Sequence, residues 1–399
     1  MPVLLIAEKY PPVVGGGETH LEQLAIGLAA AKHEVTVATD GKGLRPSVDY
    51  RDGVRIVDLP GLADACSGLS CYRAVESVHR VLTTEAADVV HVINYVPALI
   101  VSWLRASVGV PLVFSSFETF IPSKRVFGLF DNFPLEMTLQ RSLVQALRAD
   151  LFVCGSAAYQ RWAIEAGFDE HTILTIPHST DPARFAFVPR IREEFHAARG
   201  WSKDEFVFLV PARPVPRKRI EDVLTAAAAI LPKYPIRVVL TAPTGRLDTN
   251  YLQKLEALVR DHDLGRCVVW ERGLSWREMP ALYSACDAVI LPSSNEGFAI
   301  SLLEAMAASR PVIATAIEGP DEYLRHGTNG YVYPPADIDA LTRTMIHVMT
   351  SDSTDIVKCA LDLVRTEFSV TKMVERYSEA YSTLVQSSGG NSRSICEKE

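Results

Sequence analysis

The sequence predicts an α/β chain of two doubly wound domains, each a parallel sheet covered by helices. Its 399 residues exceed the roughly 250–300 residues at which a single core usually stops growing. Nearly continuous Val, Ile and Leu runs alternate with amphipathic stretches, which indicates parallel strands buried on both faces. The alternation stops in the Pro- and charge-rich passage His178–Lys203 and then restarts. We therefore expect one Rossmann-like domain over 1–190 and another over 200–370.

The first domain is predicted from short apolar runs that have the length of buried strands. The predicted strands are Val3–Ala7, Glu34–Thr39, Val54–Leu59, Asp88–Ile93, Pro111–Ser115, Asp150–Cys154 and Thr172–Pro177. Helical periodicity lies between several of them. The predicted helices are Glu18–Ala31, Tyr72–Ala86 and Ala157–Ala166.

The second domain repeats the pattern from about Ser202 onward. Its predicted strands are Glu205–Pro211, Ile236–Thr241, Arg266–Glu271, Ala288–Leu291 and Pro311–Thr315. Its predicted helices are Ile220–Leu231, Tyr251–Asp261, Trp276–Ala285, Ala299–Ala308, Ile338–Met349, Ile356–Thr366 and Val370–Val385. The residues 388–399 that follow are polar and without pattern, so we expect a disordered tail.

The composition excludes several classes of protein. A net charge of −8 argues against nucleic-acid binding, because contact with a phosphate backbone needs a broad basic surface. Seven cysteines without CxxC spacing suit neither a disulfide framework nor a zinc site, so we expect a cytoplasmic protein. Pro2–Ala7 is too short for a signal peptide and Arg105 interrupts the apolar stretch Val96–Val113, so we expect no membrane span.

Two Asp-x-Asp sequences superficially resemble a metal-binding motif. The first, Asp261–Asp263, precedes a helix stop at Gly265, and the second, Asp337–Asp339, opens a helix where acidic residues favour the macrodipole. We expect both to be charges at helix ends. No metal and no other cofactor is predicted.

A glycine-rich turn follows the first predicted strand, with Gly15, Gly16 and Gly17 immediately before a helix. Glycine lets backbone amides approach a ligand, and the helix N-terminus favours negative charge. The spacing differs from the dinucleotide pattern GxGxxG. A flexible turn is therefore the alternative to a phosphate-binding one.

A basic loop lies between the first strand and the first helix of the second domain and contains Arg213 and Lys218. This position is the carboxyl edge of the sheet, where open α/β sheets bind ligands. Arginine can bind one phosphate with two hydrogen bonds while lysine supplies a compact charge to the next. The alternative is a solvated loop that starts a helix.

Two carboxylates, Glu296 and Glu304, follow a later strand of the same domain. Glu296 is predicted in the loop after that strand, and Glu304 inside an otherwise apolar helix. A carboxylate in such a helix needs a partner. Ribose hydroxyls are one such partner, and a neighbouring arginine or a capped amide is the alternative.

With these motifs the chain resembles glycosyltransferase family 4, a large family of retaining enzymes of GT-B architecture. The resemblance covers nearly the whole chain. Besides the cation and glutamate pairs, it is carried by Pro11–Glu18, Asp88–Val92, Ile176–Asp181, Arg310–Thr315 and Asn329–Pro335. It implies two Rossmann-like domains whose parallel sheets face each other across a cleft. The first domain would bind the acceptor, the second the nucleotide sugar, and a helix at 371–387 would cross back to the first.

The resemblance also implies roles for the cations and carboxylates. Arg213 and Lys218 would stabilise the departing diphosphate, where negative charge grows in the transition state. Glu304 would hold the ribose. These cations and Glu296 would be the catalytic residues, and no protein nucleophile is required.

The donor sugar would lie beside one loop of the second domain. The residues implied there are Glu296, Gly297, Phe298, Ala299 and Ile300. From the first domain, Gly15, Gly16 and Gly17 would face the diphosphate.

The chain departs from the family pattern near the acceptor. Phe117 and Glu118 stand where the family usually has a His, and His178 stands where an Asn is common. We expect Phe117 and Glu118 to lie on the acceptor side and to alter the choice of donor or acceptor. The basic and aromatic segment Lys124–Phe133 predicts a lid over the acceptor, with contact to a membrane surface as the less favoured alternative.

The predicted function is transfer of a hexose-like sugar from a nucleotide-diphosphate donor, most readily a UDP-sugar, to a hydroxyl of a small-molecule or glycan acceptor. The transfer is expected to retain configuration and to need no metal. Two alternatives stay open: a catalytically silent protein that binds a nucleotide sugar, and a pseudo-glycosyltransferase that forms a non-glycosidic bond.

Overall fold

The computed structural model describes residues 1–11, 16–41, 48–65, 69–105, 109–116, 144–242, 248–274 and 277–393. The chain divides into two compact units. The first unit comprises Met1–His178 together with Val370–Glu399, and the second comprises Ser179–Ser369.

The strands of the two units are numbered β1–β14 along the chain. In the first unit they are β1 Pro2–Ala7, β2 Glu34–Thr39, β3 Val48–Arg51, β4 Val54–Asp58, β5 Val89–Ile93, β6 Leu112–Ser116, β7 Leu151–Cys154 and β8 Ile173–Thr175. In the second unit they are β9 Phe206–Val210, β10 Ile236–Ala242, β11 Val268–Arg272, β12 Ala288–Leu291, β13 Val312–Thr315 and β14 Tyr331–Tyr333.

The helices are numbered α1–α12. They are α1 Gly16–Ala30, α2 Leu69–Thr84, α3 Tyr95–Trp103, α4 Ala157–Ala166, α5 Pro189–Arg199, α6 Ile220–Ile230, α7 Thr249–Asp261, α8 Met279–Ala285, α9 Ile300–Ala307, α10 Ile338–Thr350, α11 Thr354–Glu367 and α12 Val370–Arg393.

The first unit is built on an eight-stranded sheet in the order β3-β4-β2-β1-β5-β6-β7-β8. All neighbouring pairs are parallel except β3 with β4. The sequence did not predict β3, because the four residues Val48–Arg51 are mostly exposed and form no apolar run. The central strand β5 is buried at every position, as expected for a parallel strand covered on both faces.

The last helix, α12, belongs to the first unit and packs along α1. Its residues Met373, Tyr377 and Tyr381 are buried in the core on that face of the sheet. A side chain at Gly27 would collide with Val374, so the glycine permits the close approach of the two helices. The helix ends at Arg393, whereas the sequence placed its end at 387, and residues 394–399 lie outside the described part of the chain.

The second unit is built on a six-stranded, fully parallel sheet in the order β11-β10-β9-β12-β13-β14. From β9 the chain winds outward through β10 and β11, and then returns to β12 on the other side of β9. The order therefore reverses between β9 and β12. This is the switch point at which open α/β sheets bind ligands.

The passage that interrupts the predicted alternation contains a helix, α5. It begins at Pro189, where the fixed φ of proline suits the first helical position, and ends at Gly200 with φ 64°. His196 is buried and bonds the carbonyl oxygen of Ala285 at 2.8 Å, which ties α5 to α8. The second unit accordingly starts at Ser179, before the interval 190–200 that the sequence indicated.

Both units have the doubly wound α/β form predicted from the sequence, and each has its own buried apolar clusters. Within the described residues, the helices are all too short or too polar to span a bilayer.

Candidate active site

Two loops of the second unit lie at the switch point of its sheet. One follows β9 and carries Arg213 and Lys218, and the other follows β12 and carries Glu296. Because β9 and β12 are parallel neighbours, both loops leave the sheet at the same carboxyl edge. The fold thus brings together two segments that are far apart in the sequence.

The loop after β9 ends in a single 3₁₀ turn, Pro216–Lys218, followed by Arg219 in the left-handed region at φ 45°. This turn directs the chain into α6. Arg213 and Arg217 are exposed, whereas the side chain of Lys218 is only 12% exposed. Lys218 is therefore the cation that the protein holds in a defined environment.

An ion pair between Lys218 and Glu296 joins the two loops. Arg217 strengthens the connection, since its guanidinium donates to the carbonyl oxygen of Asn295 at 3.1 Å. In return, the amide of Ser294 donates to the carbonyl oxygen of Arg217 at 2.8 Å. The loops are thereby fixed to each other by both side-chain and backbone contacts.

The charges of this pair depend on each other. Burial lowers the pKa of Lys218, and the positive charges of Arg217 and Arg213 lower it further, although Glu296 acts in the opposite direction. Burial alone would raise the pKa of Glu296, but the charge and hydrogen bond of Lys218 outweigh it and lower that pKa. Three positive groups thus stand beside one carboxylate, which leaves positive charge available for an anion.

The segment between Glu296 and α9 has a constrained backbone. Ala299 has φ 64°, which is unusual for a residue with a side chain, and it immediately precedes the first turn of α9. The hydroxyl of Tyr323 lies 3.0 Å from the carbonyl oxygens of both Phe298 and Ala299. The amide of Leu302 donates to the carbonyl oxygen of Ala299 at 3.0 Å, but the first two amides of a helix lack acceptors within it, so this turn suits an anionic or hydroxylated ligand.

Gly319 packs against the backbone of the same segment. Its φ is 97°, and a Cβ there would lie 2.6 Å from the carbonyl oxygen of Glu296 and 3.0 Å from that of Gly297. Only glycine allows this approach without displacing the backbone that carries Glu296.

Glu304 lies on α9, the helix that follows the loop with Glu296. Its side chain is partly exposed. The hydroxyl of Tyr283 donates to its Oε2 at 2.7 Å. Burial raises the pKa of Glu304 to about 7, although the hydrogen bond from Tyr283 and the positive charge of Arg184 both oppose the shift. Within the described residues, the hydrogen-bond partner of Glu304 is therefore Tyr283, and Arg184 acts on the carboxyl through its charge.

Tyr283 was not identified from the sequence as part of the site. It lies in the apolar helix α8, is fully buried, and resembles any core aromatic residue in the sequence. One signal was present, because a buried tyrosine hydroxyl usually has a hydrogen-bond partner. The sequence did not indicate which residue that partner would be.

Family models match both halves of the chain. The model for glycosyl transferases group 1 matches residues 191–358, and the model for glycosyltransferase family 4 matches residues 14–184. The chain is 31% identical to the D-inositol 3-phosphate glycosyltransferase of Kineococcus radiotolerans over 76% of this chain and 74% of that protein.

The chain belongs to glycosyltransferase family 4. Its family membership confirms the resemblance seen in the motifs and identifies it as a glycosyltransferase. The predictions that it is an enzyme of this class and that it has the α/β fold are likewise confirmed.

Solved structures share the fold of this family 4 chain. Sucrose-phosphate synthase from Thermosynechococcus elongatus superposes with a TM-score of 0.81 at 21% identity, over 97% of this chain and 99% of that one. The HepE protein of Anabaena in complex with UDP-glucose superposes with a TM-score of 0.78 at 20% identity, over 96% and 100%. The architecture is GT-B, as predicted.

The first unit of this glycosyltransferase has its own switch point, between β1 and β5. Gly16 and Gly17 form the first turn of α1 after β1, whereas Gly15 lies outside the described residues. After β5, Asn94 adopts φ 70° immediately before α3. Phe117, Glu118 and the segment 124–133 also lie outside the described part of the chain.

Three histidines of the first unit, His20, His91 and His178, are buried. His91 bonds the hydroxyls of Tyr381 and Ser115, both at 2.6 Å. His178 and His20 approach each other with 3.0 Å between their Nδ1 atoms. Burial lowers the pKa of His91 to about 3 and that of His178 to about 4, so both are neutral near pH 7.

The two Asp-x-Asp sequences lie at helix ends in the second unit. Asp337 caps α10 by accepting a hydrogen bond from the amide of Ala340 at 2.8 Å. Asp261 is the last residue of α7. Among the described residues, no cluster of three or more His, Cys, Asp or Glu side chains is arranged to hold a metal ion.

Proposed function

We propose that this family 4 glycosyltransferase transfers a hexose-like sugar from a UDP-sugar to an acceptor hydroxyl, with retention of configuration and without a metal ion. The observation that carries the proposal is the ion pair between Lys218 and Glu296. It fixes two ligand-binding loops to each other at the switch point of the second sheet, with Arg213 and Arg217 beside it.

The diphosphate of the donor binds to Lys218, Arg213 and the first amides of α9. These groups are charged or polarised before the ligand arrives, so little reorganisation is needed when the bond to the diphosphate breaks. As that bond breaks, negative charge grows on the phosphate oxygens. The cations therefore stabilise the transition state more than the bound donor, which is the condition for catalysis. Their fixed positive charge fills the role that a metal ion has in other transferases.

The ribose binds to Glu304. An ionised carboxylate is a stronger acceptor for two hydroxyls than the protonated form, which uses one oxygen as a donor, and the pKa of Glu304 is about 7 without a ligand. Donor binding therefore favours loss of the proton, and affinity should rise as the pH increases through 7.

The transferred sugar lies against Glu296 and the backbone of Gly297 to Ile300. Glu296 accepts hydrogen bonds from sugar hydroxyls while Lys218 holds it in place. In the transfer step, the bond from the anomeric carbon to the diphosphate oxygen breaks and a bond from that carbon to the acceptor oxygen forms on the same face. The acceptor proton passes to a diphosphate oxygen, and UDP leaves with it.

The choice of UDP is supported by the HepE protein of similar fold, which was solved with UDP-glucose. The D-inositol 3-phosphate glycosyltransferase at 31% identity supports a small hydroxylated acceptor. The acceptor binds to the first unit, in which Gly16 and Gly17 lie at the start of α1.

Calorimetric titration with UDP, GDP, ADP and dTDP, followed by turnover with the corresponding sugars and a panel of hydroxylated acceptors, tests the proposal. We expect UDP to bind most tightly, the product to keep the anomeric configuration of the donor, and EDTA to have no effect. Tight UDP binding without any product would instead indicate the catalytically silent alternative, and a product without a glycosidic bond would indicate the pseudo-glycosyltransferase.

Variants of the ion pair separate its chemical role from its structural one. Lys218→Ala should lower turnover by about 10²–10³-fold, as does loss of a single group that stabilises developing negative charge. The charge swap Lys218→Glu with Glu296→Lys can restore the connection between the loops but not the cation at the diphosphate. Arg272→Ala, which removes a surface ion pair with Glu256, serves as the control. Recovery of turnover in the swap would contradict the proposed role of Lys218.

A further inference from the structure

Tyr283 forms a hydrogen bond with one of the two carboxylate oxygens of Glu304 and leaves the other for a ligand. It is fully buried on α8, and its hydroxyl lies 2.7 Å from Oε2 of Glu304. No hydrogen bond is formed to Oε1 within the described residues. A ligand that approaches Glu304 therefore finds one oxygen already occupied and one oxygen open.

The position of the tyrosine ring does not depend on the hydroxyl alone. The ring of Phe185 meets it edge to face with 5.5 Å between the ring centres, and both rings belong to one apolar cluster. The hydroxyl has a second acceptor within reach, the carbonyl oxygen of Ser301 at 3.1 Å. Its single hydrogen can serve only one acceptor well at a time, and the shorter contact is to the carboxylate.

We infer that Tyr283 is a positioning residue that holds the Glu304 carboxylate in the orientation needed to read the ribose hydroxyls, so that the site prefers ribonucleotide over 2′-deoxyribonucleotide donors. The inference rests on the proposed function, since it assigns Glu304 to the ribose. It goes further by assigning the orientation of Glu304, and with it the discrimination between sugars of the nucleotide, to a residue that does not contact the ligand.

Loss of the Tyr283 hydroxyl would change both the geometry and the charge of Glu304. Without the hydroxyl, the carboxylate can rotate about its last torsion, which is a broad one, and the open oxygen loses its fixed direction. The ionised form also loses a hydrogen bond that favours it. The groups that face Glu304 and act on its charge within the described residues are Tyr283 of α8 and Arg184, which precedes α5. Of the two, Tyr283 makes the hydrogen bond.

The experiment measures calorimetric dissociation constants for UDP and 2′-deoxy-UDP from pH 5.5 to 8.5, with wild-type protein and Tyr283→Phe. Should GDP or ADP bind more tightly, that nucleotide and its 2′-deoxy form replace them. In wild-type protein we expect the ribonucleotide to bind about 10-fold more tightly, the worth of one hydrogen bond to a charged acceptor. In Tyr283→Phe this ratio should fall toward 1, and the midpoint of the pH dependence of UDP affinity should move to higher pH.

Tyr331→Phe is the matched control. Tyr331 is also buried in the second unit, but its hydroxyl bonds the hydroxyl of Ser353 at 2.9 Å and not a carboxylate. It should lose stability without change in the ratio or the midpoint. Glu304→Gln completes the set, because it should abolish the pH dependence and the preference for ribose together.

The outcomes distinguish the two proposals. If Glu304→Gln loses the preference for ribose but folded Tyr283→Phe keeps both the wild-type ratio and midpoint, the role of Tyr283 is wrong and the proposed function stands. If Tyr283→Phe does not fold, Phe185→Leu, which loosens the ring but keeps the hydroxyl, should lower the ratio in part, and an unchanged ratio contradicts the inference. If wild-type protein binds none of the nucleotides, both proposals are wrong.

Discussion

In the second unit, the loops at the switch point hold charged side chains against each other, whereas the chain that leaves β5 at the switch point of the first unit begins with neutral residues. Lys218 and Glu296 form an ion pair between the loops after β9 and β12. In the first unit, β5 contains the neutral, fully buried His91, and the residue that follows the strand is Asn94 at φ 70°. Equivalent positions after a strand at the switch point thus carry an ion pair in the second unit and neutral residues after β5 in the first.

The two units also contain buried groups whose protonation has opposite effects on stability in acid. The second unit contains a carboxyl, Glu304, whose pKa is raised by burial, and the first contains histidines whose pKa values are lowered by burial. Protonation is therefore favourable in the folded second unit at Glu304 and unfavourable in the folded first unit at His91 and His178.

The largest expected effect on stability concerns the backbone that carries Glu296. In Gly319→Ala, the new Cβ would meet the Glu296 and Gly297 carbonyls and the residue would keep φ 97°, so the free energy of unfolding should fall by about 3 kcal/mol. UDP affinity should fall with it. Urea unfolding of the second unit and UDP titration measure the two effects.

Gly327→Ala is the control for the backbone strain alone. Gly327 also has a positive φ, 72°, but its Cβ would have nothing within 4 Å. Its substitution should cost about 1 kcal/mol and leave UDP affinity unchanged. Equal losses in both variants would mean that the contact with the Glu296 backbone contributes nothing.

The sequence predicted the strands with long apolar runs and the helices with clear periodicity, because these patterns reflect burial in a parallel sheet. It missed β3, a mostly exposed edge strand, β14, an edge strand of only three residues, and also α3 and α5. α3 lies in a continuous apolar stretch that shows no helical period, and α5 begins with a proline in a charged passage. Their existence depends on packing partners that are distant in the chain.

The site was only partly accessible to sequence reasoning. Arg213, Lys218, Glu296 and Glu304 stand out, since charged residues after buried strands are conspicuous. That Lys218 meets Glu296 depends on β9 lying next to β12, which the pattern of strands does not specify. Contacts made by ordinary core or loop residues, such as Tyr283 and Gly319, leave no local pattern at all.

The next effect, of intermediate size, tests the neutral core of the first unit. The folded pKa of His91 is about 3, below its ordinary value of 6.5, so its contribution to stability is present above pH 6.5 and lost as the pH falls toward 3. Between pH 7 and pH 5 this loss amounts to about 2 kcal/mol. Glutamine at this position can still form hydrogen bonds with Tyr381 and Ser115. In His91→Gln, the fall in the free energy of unfolding between pH 7 and pH 5 should therefore be about 2 kcal/mol smaller than in wild type.

Amide-exchange protection of peptides from β5 and α12 at the two pH values measures this change in the first unit. His79→Gln is the control, because His79 is an exposed histidine on α2 of the same unit. It should keep the full acid sensitivity of the wild-type protein. If His91→Gln keeps it as well, the neutral histidine is not the source of the acid sensitivity.

The smallest expected effect has the opposite sign and belongs to Glu304. Its folded pKa of about 7 lies above the ordinary value of 4.5, so its favourable contribution is complete below pH 4.5 and lost as the pH rises through 7. Glu304→Gln should therefore stabilise the second unit relative to wild type at pH 8 more than at pH 5, by about 1 kcal/mol after allowance for the partial exposure of the side chain. Urea unfolding at the two pH values measures the difference, with Glu193→Gln, at an exposed carboxylate of α5, as the control that should show none.

Saturating UDP should oppose this change in wild-type protein, because a bound ribose supplies the hydrogen bonds that the ionised carboxylate lacks. The variant gains stability at pH 8 only by giving up the group that binds the ligand. A Glu304→Gln protein with the same pH dependence as wild type would show that Glu304 is already satisfied by Tyr283 and Arg184. In that case the contrast between the charged loops of the second unit and the neutral residues after β5 would depend on Lys218 and Glu296 alone.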